Sequence, residues 1–184
     1  MNETFLTWWC FTWRWAHRSR LHAWADAGLS EVLAESLAVT RHQHWLTLLG
    51  IDASQPITPC PALLQWLALA PSQQQEALRL VGRISFPMHI AAVAGEHEDW
   101  SRSLAKALRP GVWIPPGAVP DARVLLAAWV APPCWPRLAL SWPHAEIEAL
   151  NLIPGPWPRR KLDTLWQAVL WRVHSIPQPD SEAH

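Results

Sequence analysis

Proline is the residue that most restricts what this chain can fold into. Eighteen prolines are distributed over 184 residues, with clusters at 51–61, 110–120, 132–133 and 154–158. Proline lacks a backbone N–H and clashes with the preceding helical turn, so none of these clusters can lie inside a long helix. The segments between them carry apolar residues at helical spacing. The sequence therefore predicts an all-α fold, a single irregular bundle of short helices separated by proline elbows.

The apolar segment 122–130, ARVLLAAWV, is predicted to form the central helix of this bundle. Val124 and Trp129 lie on one helical face, and Leu126 and Val130 lie on the opposite face. A helix with apolar residues on both faces has no side that favours solvent. We therefore expect the other helices to pack against it.

The N-terminal segment is predicted to begin differently from the rest of the chain. Aromatic residues, which favour β-structure, dominate 5–13. Helical spacing of apolar residues begins at about Arg14 and continues to Ala27. We expect a short extended segment at the N-terminus, followed by an amphipathic helix.

A further N-terminal helix is predicted to begin after Ser30, because serine caps helices through its hydroxyl group. Val32, Leu33, Ser36 and Leu37 form a stripe along this helix. Such a stripe is typical of a helix with one apolar side.

Length and spacing both favour one domain. A chain of 184 residues is long enough to bury about two-thirds of the surface of its unfolded form. The uneven intervals between the elbows argue against a coiled coil or a repeat array. We predict a single helical domain over 1–175, with 51–61 as the place of any subdivision. Residues 176–184 are polar and contain proline, which predicts a disordered tail.

Composition argues against several classes of protein. Fifteen Lys and Arg residues balance fifteen Asp and Glu residues, so net charge does not favour nucleic acid or an anionic membrane as a partner. Cys10, Cys60 and Cys134 are isolated and never form a C-x-x-C pair. This spacing argues against a disulfide framework or a zinc knuckle, and it favours a reducing cytoplasm. No signal peptide is recognisable, and no charge-free apolar run approaches the roughly 20 residues of a membrane span. We expect a cytoplasmic protein without direct membrane insertion.

The nine histidines lack the spacing of a metal site. His144 and Glu148 have the i, i+4 spacing that places two ligands on one helical face, but a zinc site needs three or four convergent ligands. The other close pairs have unsuitable spacings: His17 with His22, and His42 with His44. The acidic run at 96–99 is typical of a helix N-terminus, where negative charge is stabilising. We expect no metal site and no cofactor.

Recognisable catalytic motifs are missing from the sequence. It contains no G-x-S-x-G elbow, no Walker loop and no G-x-G-x-x-G turn. Each cysteine lies in apolar or proline-containing surroundings, which do not activate a thiol. We therefore expect no catalytic, cofactor-binding or metal-binding residues, and a protein that is not an enzyme.

One cluster leaves an alternative function open. Arginine and tryptophan alternate near the N-terminus, at Trp13, Arg14, Trp15, Arg18, Arg20 and Trp24. Guanidinium groups bind phosphates and indole rings stack on bases, so the cluster fits a small helical nucleic-acid-binding regulator. The competing interpretation is a helix with a charged outer face and a Trp-lined inner face. The zero net charge favours this second interpretation.

The order of segments from 62 to 174 carries a family resemblance. The segments are LLQWLALA at 63–70, EALRLVGRI at 76–84, WSRSLAKALRPGVWIPPG at 100–117, VLLAAWVAPPCWPRLALSWP at 124–143 and KLDTLWQAVLWRV at 161–173. Helices alternate here with proline elbows, and the block before the last elbow ends in L-S-W-P. This order resembles the SctK family, also called YscK-like, the accessory proteins of the type III secretion sorting platform. The likeness covers roughly the last two-thirds of the chain.

The resemblance implies a structural adaptor without enzymatic activity, located in the cytoplasm at the face of the bacterial inner membrane. SctK proteins connect the inner-membrane ring protein SctD to the pod protein SctQ, which carries the SctL stator and the SctN ATPase. The implied partners are therefore SctQ-type and SctD-type proteins, with SctL and SctN reached indirectly and no nucleic acid. The family offers no catalytic motif that could be matched to residues of this chain.

Overall fold

The computed structural model describes residues 2–21, 30–52, 54–90, 96–152 and 157–175. Within these ranges the regular elements are helices and no strand is present, which confirms the prediction of an all-α fold. In chain order the α-helices are α1 (Glu3–Cys10), α2 (Glu31–Thr40), α3 (His42–Leu48), α4 (Pro61–Leu67), α5 (Pro71–Ser85), α6 (Glu96–Leu108), α7 (Pro110–Trp113), α8 (Ala122–Trp129), α9 (Trp135–Ala139), α10 (His144–Glu148) and α11 (Arg159–His174). Short 3₁₀ turns lie at Thr12–Trp15, Arg18–Arg20 and Pro132–Cys134.

The prolines limit the helices as the sequence predicts, and several of them do so by starting a helix. Pro61, Pro71 and Pro110 are each the first residue of an α-helix, a position where the missing N–H removes no intrahelical hydrogen bond. Pro71 is the only proline among the 15 residues of α5, and the 16 residues of α11 contain no proline. None of the described helices has the length and hydropathy needed to span a membrane.

The prediction of an extended N-terminal segment is wrong, because 3–10 is the helix α1. The Asn2 side chain caps this helix by accepting a hydrogen bond from the Phe5 N–H at 3.1 Å. Phe5, Trp8 and Trp9 are buried and recur three and four positions apart. Burial of all three rings on one side of a helix therefore outweighs the β-propensity of aromatic residues.

The predicted helix over 14–27 is also wrong where the structure describes it. Two 3₁₀ turns, Thr12–Trp15 and Arg18–Arg20, lie there instead. Between them the His17 N–H donates to the carbonyl oxygen of Leu140 at 2.7 Å. This bond to a distant residue replaces the local bond that would continue a helix. The remainder of the predicted helix lies outside the described residues.

The chain forms two compact units that are interleaved in sequence. The first unit comprises 1–60 and 130–151, and the second comprises 61–129 and 152–184. The change from the first unit to the second after Cys60 falls in the segment that the sequence analysis marks for a subdivision. The description of 1–175 as one domain stays a prediction, and the predicted tail at 176–184 lies outside the described residues.

The core of the first unit draws on both of its sequence segments. Trp13, Ala38, Leu46, Ile51 and Leu140 form one buried cluster. The 130–151 segment therefore supplies part of the core that organises the N-terminal helices.

The second unit is organised around its two longest helices, α5 and α11. α5 packs against α6, α7, α8 and α11, and α11 packs against α4, α5, α6 and α8. Its Trp166 ring stacks on Trp129 with ring centres 5.2 Å apart, and Trp66 of α4 meets the same ring edge-on at 5.8 Å. Trp129 Nε1 also donates to Asp163 at 2.9 Å. These three indole rings form the aromatic centre of the unit.

The segment predicted as the central helix, 122–130, occupies a less dominant place. α8 packs against α5 and α11 and buries Leu125 and Trp129. Its circumference is not wholly apolar, because Arg123 forms an ion pair with Asp121 at 2.7 Å. The two longest helices, α5 and α11, share the central position in this unit, since each packs against four other helices.

Candidate protein-interaction surface

Exposed apolar side chains in the first unit are concentrated on α2 and α3. These side chains are Val32, Leu33, Leu37, Val39 and Leu48. Val32 is 82% exposed, and Ala38 is the only buried side chain among those described on α2. A helix of this composition usually covers its apolar side with a packing partner. The stripe predicted from the sequence is therefore present, but it faces solvent.

The exposed residues of α2 form one continuous surface. At about 100° of rotation per residue, the arc from Val39 through Val32 to Leu37 covers about 160° of the helix circumference. Ala38, which is buried, lies on the opposite side. We define the α2 face by the residues on this arc: Val32, Leu33, Ser36, Leu37, Val39 and Thr40.

The polar contacts of α2 lie at its two ends and at Glu35. The Leu33 N–H donates to the Ser30 hydroxyl at 3.4 Å, which is the cap that the sequence predicts. At the other end the Thr40 hydroxyl donates to a carbonyl oxygen one turn earlier at 2.7 Å. Arg14 forms an ion pair with Glu35 at 2.8 Å, outside the α2 face. Of these three contacts, the Arg14–Glu35 pair is the one that connects α2 to another element, since the other two lie within the helix and its cap.

The arginines of the proposed nucleic-acid cluster are mostly engaged within the protein. Arg14 is held by Glu35, and Arg20 Nε donates to the carbonyl oxygen of Trp142 at 2.9 Å. Arg18 is exposed. A phosphate-binding patch requires several guanidinium groups that are available to solvent together. Here two of the three arginines are already bonded to other groups of the protein.

The tryptophans of the same cluster are also divided. Trp13 is buried in the core of the first unit, and its Nε1 has no hydrogen-bond partner among the described residues. Trp15 is exposed, and Trp24 lies outside the described residues. The described rings do not form a shared stacking platform of the kind that binds bases.

The histidine and acidic residues considered as ligands lie apart. His144 Nε2 is 3.1 Å from Glu148 Oε1, as the i, i+4 spacing predicts. His17 is bonded to Ser19, and His22 lies outside the described residues. Across the described ranges, no three His, Cys, Asp or Glu side chains are placed to hold one metal ion.

The acidic run at 96–99 begins α6, as predicted for a helix N-terminus. Glu98 lies 2.6 Å from Arg83 and 3.1 Å from Arg102. Asp99 pairs with Arg102 at 3.0 Å. The run therefore forms ion pairs with two arginines in addition to starting the helix.

The three cysteines are free thiols. Cys134 is buried, and its removal from water raises the pKa of the thiol to about 11. A thiol with so high a pKa is a poor nucleophile at neutral pH. Cys10 and Cys60 are half-buried.

Arg137 is a structurally important residue that no sequence motif indicates. It is 4% exposed, and its guanidinium group donates to the carbonyl oxygens of Trp9 at 3.3 Å and Asp52 at 3.3 Å. Burial lowers the pKa of Arg137 from its ordinary value. The only signal in the sequence is one charged residue within the otherwise apolar run at 134–140.

The α2 face is thus the described feature of the first unit that most lacks a packing partner. Within the described ranges, the Cys, His, Asp and Glu side chains do not converge in groups of three that could hold a metal ion. Arg14 and Arg20 of the nucleic-acid cluster bond to other groups of the protein. No protein family model matches the chain, and neither curated proteins nor solved structures give a match.

Proposed function

We propose that this chain is a structural adaptor of the cytoplasmic sorting platform of a bacterial type III secretion system. In this role it links an SctD-type inner-membrane ring protein to an SctQ-type pod protein, and through the pod protein to SctL and SctN. It works at the cytoplasmic face of the inner membrane, without a cofactor and without catalysis. The proposal originates in the resemblance of 62–174 to the SctK family.

The observation that carries the proposal is the uncovered α2 face. An isolated helix of ten residues is marginal in water and gains most of its stability from packing. Exposed apolar patches on a folded protein commonly mark sites of protein association. Apolar anchors spaced along one side of a helix suit insertion into a groove on a partner.

We assign the α2 face to the SctQ-type pod protein. The pod protein is one of the two direct partners that the resemblance implies, and a hydrophobic groove on it would accept the apolar anchors of this face. A contact of the same face with the ring protein instead would correct this assignment.

The test uses the full chain with a purified SctQ-type protein and the cytoplasmic domain of an SctD-type protein from the same bacterium. We expect both to bind, measured by isothermal titration calorimetry, and all three to co-elute in size-exclusion chromatography. If neither protein binds, the proposed function is overturned.

Two observations disfavour the nucleic-acid-binding alternative. Arg14 and Arg20 are engaged with other groups of the protein, and the net charge is zero. A salt-dependent shift of random DNA by the purified chain would restore that alternative.

A further inference from the structure

The helix α2 has few packing contacts with the rest of the first unit. Ala38 is the one buried side chain among those described on this helix, and it belongs to the buried cluster that contains Trp13 and Leu140. α2 also packs against α3, its neighbour in the chain. Burial of one methyl group shifts a folding equilibrium by only about fourfold. Tertiary packing of the described side chains therefore adds little to the stability of α2.

The polar contacts of α2 are also weak stabilisers. The cap that Ser30 provides favours the helical form by about fivefold. The side chains of Arg14 and Glu35 are 39% and 49% exposed, and an ion pair in water favours the helix by at most about fivefold. The ten residues of α2 form a helix that is marginal on its own. We therefore expect the helical form to be favoured over the unfolded form by about a hundredfold or less.

The helix α1 of the same unit is held much more firmly. Its Phe5, Trp8 and Trp9 side chains are each at most 1% exposed. Trp9 Nε1 donates to the carbonyl oxygen of Ser54 at 3.1 Å, and the guanidinium group of Arg137 lies over the Trp9 ring. Opening of α1 would expose three aromatic rings and break these contacts. We therefore expect α1 to open only when the core of the first unit unfolds.

We propose that α2 unfolds and refolds on its own while the core of the first unit stays folded. Of the buried cluster, only Ala38 leaves with α2, because the other members lie in other segments: Trp13, Leu46, Ile51 and Leu140. Segments with few buried apolar contacts and an exposed backbone are the ones that open locally. A partner that covers the α2 face stabilises the helix by binding its folded form. The proposal concerns the free chain and does not depend on the proposed adaptor function.

Hydrogen–deuterium exchange of the free full chain, measured by mass spectrometry, tests this proposal. We expect the amides of α2 to exchange at most about a hundredfold more slowly than in an unfolded peptide. Those of α1 should exchange at least about a thousandfold more slowly. Urea below the unfolding transition should accelerate exchange in α1 and leave the α2 rate nearly unchanged, because local opening exposes little surface.

The caps of the two helices provide a matched pair of variants. Ser30→Ala removes the hydroxyl that accepts from the Leu33 N–H, so exchange in α2 should become about fivefold faster while α1 is unchanged. Asn2→Ala removes the cap of α1, so exchange in α1 should become about fivefold faster while α2 is unchanged. Ser30→Asp keeps a capping oxygen and adds negative charge at the helix N-terminus, so exchange in α2 should become slower.

Three results would overturn the proposal. The first is equal protection of α1 and α2 with the same dependence on urea. The second is faster exchange of both helices in the Ser30→Ala variant, because the first unit would then open as a whole. The third is an α2 exchange rate that Ser30→Ala does not change. Failure of an SctQ-type protein to bind would overturn the proposed function and would leave these measurements on the free chain unaffected.

Discussion

The guanidinium carbon of Arg137 lies 3.8 Å from the centre of the Trp9 ring. Its hydrogen bonds go to carbonyl oxygens and to the Ser54 hydroxyl. A buried cation is tolerated there because the indole face and the carbonyl dipoles both present negative charge to it. The contact joins the two sequence segments of the first unit.

Replacing Arg137 is expected to destabilise the first unit. Lysine keeps the charge, but it lacks the planar group that stacks on Trp9 and bonds to several oxygens at once. We expect Arg137→Lys to lower the free energy of unfolding by about 2–4 kcal/mol, measured by chemical denaturation. Arg14→Lys, at an exposed ion pair, is the control, with an expected change below about 1 kcal/mol. Equal effects of the two substitutions would contradict this account of Arg137.

The α2 face is expected to be required for binding the pod protein but not for folding. Val32→Glu and Leu37→Glu place charge on an exposed apolar surface, so we expect each to weaken binding to an SctQ-type protein by at least about tenfold. Unfolding transitions should change little. Val112→Glu is the matched control, because Val112 is 81% exposed and belongs to the second unit. Unchanged affinity of both α2 variants would disprove the assignment of this face.

The cap at Asn2 tests whether the N-terminus is helical. Asn2→Ala removes the side-chain acceptor of the Phe5 N–H, and we expect a loss of about 1 kcal/mol in unfolding free energy. Asn2→Ser restores a capping group and should recover most of that loss. Thermal denaturation followed by circular dichroism measures both. An extended N-terminal segment would leave all three proteins equally stable.

The stacked indoles of the second unit should be sensitive to small changes. Trp129→Phe removes the hydrogen bond to Asp163 and part of the stack on Trp166, with an expected cost of about 1–3 kcal/mol. Trp171→Phe serves as the control, since Trp171 is 67% exposed and should tolerate substitution within about 0.5 kcal/mol. Chemical denaturation gives both values.

The buried thiol of Cys134 predicts a loss of stability in alkali. Its folded pKa of about 11 lies above that of an unfolded thiol, so the unfolded chain releases this proton first as the pH rises. The contribution of Cys134 is complete below the unfolded pKa and is lost as the pH approaches about 11. We expect unfolding free energies of the unmodified chain to fall more steeply over this window than those of Cys134→Ala. Parallel pH profiles would show that the thiol titrates normally.

Much of the helical architecture can be predicted from the sequence because proline acts locally. Pro61, Pro71 and Pro110 are each the first residue of an α-helix. The apolar pattern of 162–173 likewise predicts α11, whose inward positions are all buried. These features depend on neighbours in sequence and not on the tertiary fold.

The features that the sequence does not reveal depend on distant residues. The segment 3–10 is helical and not extended because a helix buries the rings of Phe5, Trp8 and Trp9 together. The predicted helix after Arg14 is interrupted because His17 bonds to Leu140, more than a hundred positions away. No local pattern identifies such relationships.

The interleaved order of the two units has a consequence for how the protein is made. Residues 61–129 leave the ribosome after the N-terminal helices but before the 130–151 segment, which carries Arg137 and Leu140. The first unit therefore cannot complete its core until translation has passed Asn151. Before then, Trp9 lacks its contact with Arg137 and Trp13 lacks Leu140 of its buried cluster. The second unit is completed later still, when α11 emerges.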